Sequence, residues 1–157
     1  MNRRSMLILA ALTGLSASLA CAADKPNFSG GWKLNSGKSD FGMMPAPDKL
    51  ERTIKHTDPK MNINSVSVGA QGEQKSESNY TTDGKDSMNT VRGAEVKSVA
   101  AWEGDVLVIK SKREAQGMEI TVVENWSLSA DGKVLTVLNK IGTPQGDFEM
   151  KTVMDKQ

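Results

Sequence analysis

From Leu50 onward, apolar and polar residues alternate in short runs, and most runs end in a cluster of turn formers. A period of two puts alternate side chains on opposite faces of a strand. The pattern predicts ten strands, at 30–35, 50–56, 61–68, 73–81, 87–92, 95–102, 106–113, 118–128, 134–141 and 148–155. Asp83-Gly84-Lys85, Glu103-Gly104-Asp105 and Asp131-Gly132-Lys133 each place a glycine where a tight hairpin needs positive φ. After Leu50 no long Gly-Pro linker offers a crossover, and no segment keeps a 3.6-residue period. The fold class expected is therefore all-β, an up-and-down antiparallel meander barrel with little helix apart from a leader.

The same alternation sorts the faces. In 118–128, Met118, Ile120, Val122, Glu124 and Trp126 share the apolar side; in 148–155, Phe148, Met150, Thr152 and Met154 do; in 50–56, Leu50, Arg52, Ile54 and His56 lie together. A barrel interior built this way receives a glutamate, an arginine and the single histidine. Burying an unpaired charge is expensive. Glu124 is thus expected either to face Arg52 or His56 as a polar pole inside an apolar pocket, or to reach water near a strand end while a bulge turns Arg52 outward. The candidate ligand-binding residues are Arg52, Ile54, His56, Tyr80, Ile120, Val122, Glu124, Phe148, Met150 and Met154.

The barrel is entered through Phe28-Ser29-Gly30-Gly31-Trp32-Lys33-Leu34, in which two glycines permit close backbone approach and Trp32 is sized to plug one end. Between the first two strands lies a Gly-, Pro- and Ser-rich stretch, 36–47, without helical period. Loops of that length are usually functional or mobile. Its Phe41, Met43 and Met44 either form a lid over an opening or tuck onto the barrel rim. The other methionines suit an adaptable interior or simply fill a core short of aromatics, which make up 4% of the chain.

Ahead of all this, Arg3 and Arg4 precede an apolar stretch at 6–19 and the small-x-small site Ala20-Cys21-Ala22. That is the layout of a secretory signal peptide. It divides the chain into a leader at 1–22 and a barrel domain at 23–157, predicts a secreted or periplasmic protein, and leaves no membrane segment after cleavage. Two alternatives stay open: lipidation at Cys21 by a different peptidase, and twin-arginine export. Loss of Arg3 and Arg4 would turn the net charge from +1 to −1, which argues against nucleic acid and against a polybasic membrane surface. A monomer is expected.

Chemistry is sparse. One cysteine, in the leader, leaves no disulfide or thiol site in the mature chain, and one histidine without cysteines is a poor metal set. No Gly-x-Ser-x-Gly elbow is present, and the carboxylates are scattered without pattern. No catalytic residues, cofactor or metal are expected, and the chain does not read as an enzyme.

Three places resemble the lipocalin-like, fatty-acid-binding-protein-like barrels of the calycin group: the opening 28–34, the run from Lys97-Ser98 through Trp102-Glu103-Gly104-Asp105-Val106-Leu107-Val108, and the ending from Asp131-Gly132-Lys133 to Asp155-Lys156. The resemblance implies a barrel that holds a small hydrophobic molecule. It also implies a contrast. The intracellular fatty-acid binders of that group hold a carboxylate with an Arg-x-Tyr pair on the last strand and an arginine on the eighth, where this chain has Thr152 and Met154 and, near the eighth-strand position, Glu124. The expected ligand is accordingly a neutral or weakly polar hydrophobic or amphipathic molecule rather than a fatty acid. The alternative is a protein-interaction or protease-inhibitor-type module with a filled core, using the loop at 41–47.

Overall fold

Residues 25–91, 93–115 and 117–157 are described by the computed structural model. The expected leader at 1–22, with Cys21, lies outside them. The strands are β1 (Gly30–Leu34), β2 (Lys49–Thr57), β3 (Lys60–Gly69), β4 (Gly72–Thr81), β5 (Asp83–Val91), β6 (Ala94–Glu103), β7 (Val106–Ala115), β8 (Met118–Leu128), β9 (Val134–Thr143) and β10 (Gly146–Lys156). A single turn of 3₁₀ helix, Ser36–Lys38, is the only helical element among the described residues.

All ten strands form one antiparallel sheet in the order β4-β3-β2-β1-β10-β9-β8-β7-β6-β5. The short β1 closes the meander by pairing on both sides, so that Trp32 lies opposite Arg52 on β2 and Lys156 on β10. Sequence neighbours β4 and β5 are the two ends of the sheet, and no backbone ladder joins them.

This corrects the hairpin expected at Asp83-Gly84-Lys85. The chain reverses at Thr82, and Gly84, at φ +80°, sits inside β5 where the register jumps between Asp83 and Asp86. The corner is held elsewhere: the Thr82 N–H donates to the Pro59 carbonyl at 2.7 Å, and its hydroxyl donates to the Asp58 carboxylate. Those bonds draw the reversal onto the β2–β3 turn, and no backbone ladder forms between β4 and β5.

Side chains bridge the seam in place of a ladder. Asn89 Oδ1 accepts from the Asn79 N–H at 2.7 Å and Asn89 Nδ2 donates to the Asn79 carbonyl at 3.0 Å, while Ser87 Oγ accepts from the Thr81 N–H at 3.1 Å.

The interior is packed at one end only. Phe28, Trp32 and Trp126 are fully buried there with Ile54, Met61, Leu107, Ile109, Leu135, Val137 and Met154. The Phe28 ring stacks on Trp102 and meets Trp126 edge-on, both at 5.8 Å between centroids, and the Trp32 indole N–H donates to the Phe28 carbonyl at 2.9 Å. Four aromatic rings from three separate stretches of the chain thus cap the barrel, and each of the three indole N–H groups among them has an acceptor.

Toward the other end the inward positions become smaller and more polar: Ser65 and Ser67 on β3 face Ser76 and Gln74 on β4, and Ser76 and Gln74 are exposed. The barrel is filled at its Trp32 end and open at the other.

The stretch after β1 continues along β10 through Asn35 N–H to the Val153 carbonyl and a reciprocal Asp40–Lys151 pair at 2.8 and 2.7 Å. Phe41 is half-buried, but Met43 and Met44 are 87% and 52% exposed, so those methionines do not cover the mouth as a lid.

Candidate ligand-binding site

Above the packed end lies a cavity of about 210 Å³ lined by Tyr80 of β4, Val91 of β5, Val96 of β6, Ser111 and Arg113 of β7, and Val122 and Glu124 of β8. Register puts these side chains on one surface. Ser111 lies opposite Val122, Ile109 opposite Glu124, and Asn89 opposite Val96, and residues directly opposed in an antiparallel pair share a face. The hydroxyls of Ser98 and Ser111 bond to each other at 2.8 Å, which satisfies both within the wall.

One lining residue, Glu124, belongs to a buried charged cluster. Arg52 of β2 lays its guanidinium over the Trp126 ring, 5.0 Å from the centroid, while the Trp126 indole N–H donates to Glu124 Oε2 at 3.3 Å. One indole therefore holds a cation on its face and an anion at its edge, both favourable to a ring with a negative face and positive rim. Arg52 Nε and Nη1 are buried without a hydrogen-bond partner. Arg52 and Glu124 both face the interior, as strand alternation placed them, and both engage Trp126 without closing an ion pair with each other.

Titration reflects that arrangement. Burial pulls the Arg52 guanidinium below its ordinary value, opposed by the charges of Glu124 and Tyr80. Burial pushes the Glu124 carboxyl up, opposed by Arg52 and the Trp126 N–H. The Tyr80 phenol is pushed up to about 12, by burial first and by the Glu124 charge second. Three groups from β2, β4 and β8 thus feel one another across the same space, each short of the partners it would have in water.

The remaining predicted residues separate into two groups. Ile120, Phe148 and Met150 are half-buried on the inward face of the open half, opposite Arg113, Ile141 and Asn139. Ile54, His56 and Met154 belong instead to the packed end, where they are shut in with Phe28 and Trp32. His56 Nδ1 accepts from the Phe28 N–H at 3.3 Å, and its Nε2 is 3.7 Å from Asp58 Oδ1. The imidazole stacks on Phe28 at 5.7 Å and Trp102 at 6.0 Å, and is held below its ordinary pKa by burial, which outweighs the nearby Asp58. It fastens the entering chain to the barrel and does not face Glu124. Val91, Val96, Ser111 and Arg113 line the cavity without having been singled out in the sequence, although the same alternation along 87–92, 95–102 and 106–113 points them inward.

Among the described residues no cluster of histidine, cysteine and carboxylate groups could hold a metal ion, and no helix is long and apolar enough to cross a membrane.

No protein-family model matches the chain, and no curated protein sequence does. Solved structures do. A secretory abundant heat soluble protein of Ramazzottius varieornatus superposes with a TM-score of 0.63 at 14% identity, covering 85% of this chain and 97% of that one. Zebrafish ileal bile acid-binding protein complexed with cholic acid gives 0.57 at 18% identity, with 83% and 98% covered. Fatty-acid-binding protein 1 of Echinococcus granulosus gives 0.53 at 15% identity, with 82% and 96% covered. The fold is therefore that of the calycin barrels, the group whose motifs the sequence resembles.

Proposed function

We propose that this chain is an exported binding protein that holds a small hydrophobic or amphipathic molecule in the open half of its barrel. One observation carries the reading: the interior is packed solid at the Trp32 end and gives way to a valine-walled cavity at the other. A barrel needed only as a scaffold would bring its core side chains together along its full length, since close packing stabilises throughout. Ligand pockets combine apolar walls with a few placed polar groups, which is the composition here. A volume of about 210 Å³ is below the usual range of roughly 300–1,000 Å³ for small-molecule sites. It suits a compact molecule, or one end of a longer one whose remainder leaves through the mouth. The fold comparisons support this use, since two of the structures are named for bile-acid and fatty-acid binding. Export is supported by the leader pattern at 1–22.

Native mass spectrometry of protein purified from its own host, with uptake of a neutral apolar fluorophore measured beside it, tests the proposal. A co-purifying small molecule and stoichiometric uptake are expected. Absence of both would leave the second reading, a protein-contact module, for which the exposed Met43 and Met44 are the supporting feature. Replacing both with serine would then abolish capture of a partner without moving the denaturation midpoint.

A further inference from the structure

We infer that the cavity takes an amphipathic carboxylic acid that enters tail first, with its carboxylate held by Arg113 at the mouth and a hydroxyl at its far end bonded to Glu124. The inference rests on the binding reading above and names both the chemistry of the ligand and the direction in which it lies.

Two charged side chains line the cavity, Arg113 of β7 and Glu124 of β8. Strand register sets them at different depths. Glu124 lies opposite Ile109, which is fully buried in the packed end, whereas Arg113 lies opposite Ile120 in the open half, is half-buried and reaches water. Arg113 is four positions along β7 from Ile109, which is roughly 13 Å of strand at about 3.3 Å per residue. Between the two, Ser111 and Val122 stand opposite each other, and Val91, Val96 and Tyr80 complete the wall. A largely apolar space with a cation at its outer end and a carboxyl at its inner end fits a chain that carries a polar group at each end.

Each end sorts its partner. No ion pair among the described residues engages Arg113, and a guanidinium only donates, in a fork that matches a carboxylate. Among the described residues Glu124 receives one hydrogen bond, from the Trp126 indole at 3.3 Å, so it keeps capacity to accept. Burial favours its protonated form and Arg52 opposes this. A hydroxyl bonds to the carboxyl in either form, whereas an ammonium needs it ionised. Head-first entry would set the ligand's acid group beside Glu124. At the mouth, the same group stands farther from Glu124 than the Debye length of about 8 Å at physiological salt. Arg52, on the Trp126 face and outside the lining, offsets the Glu124 charge. The Tyr80 phenol, pushed up to about 12, adds no charge at neutral pH. Lack of a last-strand clamp argues for a neutral ligand, but Arg113 supplies a cation from β7 instead.

The test uses four molecules with one ten-carbon chain: ω-hydroxydecanoate, decanoate, methyl ω-hydroxydecanoate and methyl decanoate, each displacing the neutral dye N-phenyl-1-naphthylamine at pH 7.5. Each acid is expected to bind about tenfold more tightly than its ester, the advantage of a hydrogen bond to a charged group. The hydroxyl should strengthen binding several-fold, although a purely apolar inner end would be weakened by it. Arg113→Gln should abolish the preference for acid over ester and keep the preference for the hydroxyl; Glu124→Leu should do the reverse. If Glu124→Leu does not fold, the comparison of ω-hydroxydecanoate with decanoate on the wild-type protein decides the inner end. An acid preference that survives Arg113→Gln, or a hydroxyl that weakens binding to the wild-type protein, overturns the inference. Equal displacement by all four overturns it while leaving the barrel's binding role standing; displacement by none of them, with no dye uptake, overturns both.

Discussion

Asn89→Ala perturbs the seam where the barrel lacks a ladder. Asn89 is 8% exposed, and its amide both accepts from the Asn79 N–H and donates to the Asn79 carbonyl, doing for β4 and β5 what two backbone groups do elsewhere in the sheet. A typical intramolecular hydrogen bond adds about 0.5–1.5 kcal/mol net. Losing both should therefore cost about 1–3 kcal/mol, against a total domain stability of roughly 5–15 kcal/mol. Ser87 still holds the Thr81 N–H, so the seam should loosen locally while the packed end survives. Two measurements are required: the urea midpoint, and amide hydrogen exchange at Asn79 and Thr81. The midpoint should fall with unchanged slope, and exchange at Asn79 should accelerate more than at Thr81. Asn89→Asp should not rescue, because it keeps the acceptor for the N–H but turns a second oxygen toward the Asn79 carbonyl. A loss below about 0.5 kcal/mol, the lower edge for one bond, with unaltered exchange at Asn79, would refute the view that this side chain stands in for the ladder.

Trp32→Ala should cost about 3–5 kcal/mol in the same urea assay, the usual range for a core aromatic, because Trp32 is 1% exposed and its indole also holds the Phe28 carbonyl; a negligible shift would separate β1 from the closure. His56, with a folded-state pKa below its ordinary value, contributes stability that is present above about pH 6.5 and is lost as pH falls through the folded value. His56→Gln should therefore flatten the decline in stability between neutral and mildly acidic pH, and an unchanged slope would contradict the burial of this group. The intact mass of exported protein should correspond to a start at Ala23; a diacylglycerol-modified product beginning at Cys21 would overturn the leader reading.

Strand positions and faces were legible in the sequence because alternation is a local property. Thus Glu124, Val122 and Arg52 could be placed on inward faces from period two alone, and the register of β7, β8 and β9 agrees with that parity. The unpaired seam was not legible. Asp83-Gly84-Lys85 has the composition of a hairpin turn, and what displaces the reversal is a pair of long-range bonds from Thr82 to Asp58 and Pro59. Nor did the sequence separate the packed half from the open half. Ile54 and Val122 are equally apolar and equally inward, but the rings of Phe28, Trp32, Trp102 and Trp126 converge only on the first. His56 went to the wrong neighbour for the same reason: strand parity places it inside, and only the path of the entering chain brings Phe28 against it. The sequence also placed Arg52 and Glu124 on inward faces without showing that both engage Trp126.

Filling the cavity tests the central claim most directly. Val122 lines it from β8, and Val122→Trp would occupy much of its space without touching the packed end at Phe28 and Trp32. Titration of both proteins with N-phenyl-1-naphthylamine, alongside their urea midpoints, should show saturable one-to-one uptake by the wild-type protein and at least a tenfold loss in the variant at a similar midpoint. Undiminished uptake by a folded Val122→Trp protein would place the apolar site outside the barrel and contradict the account.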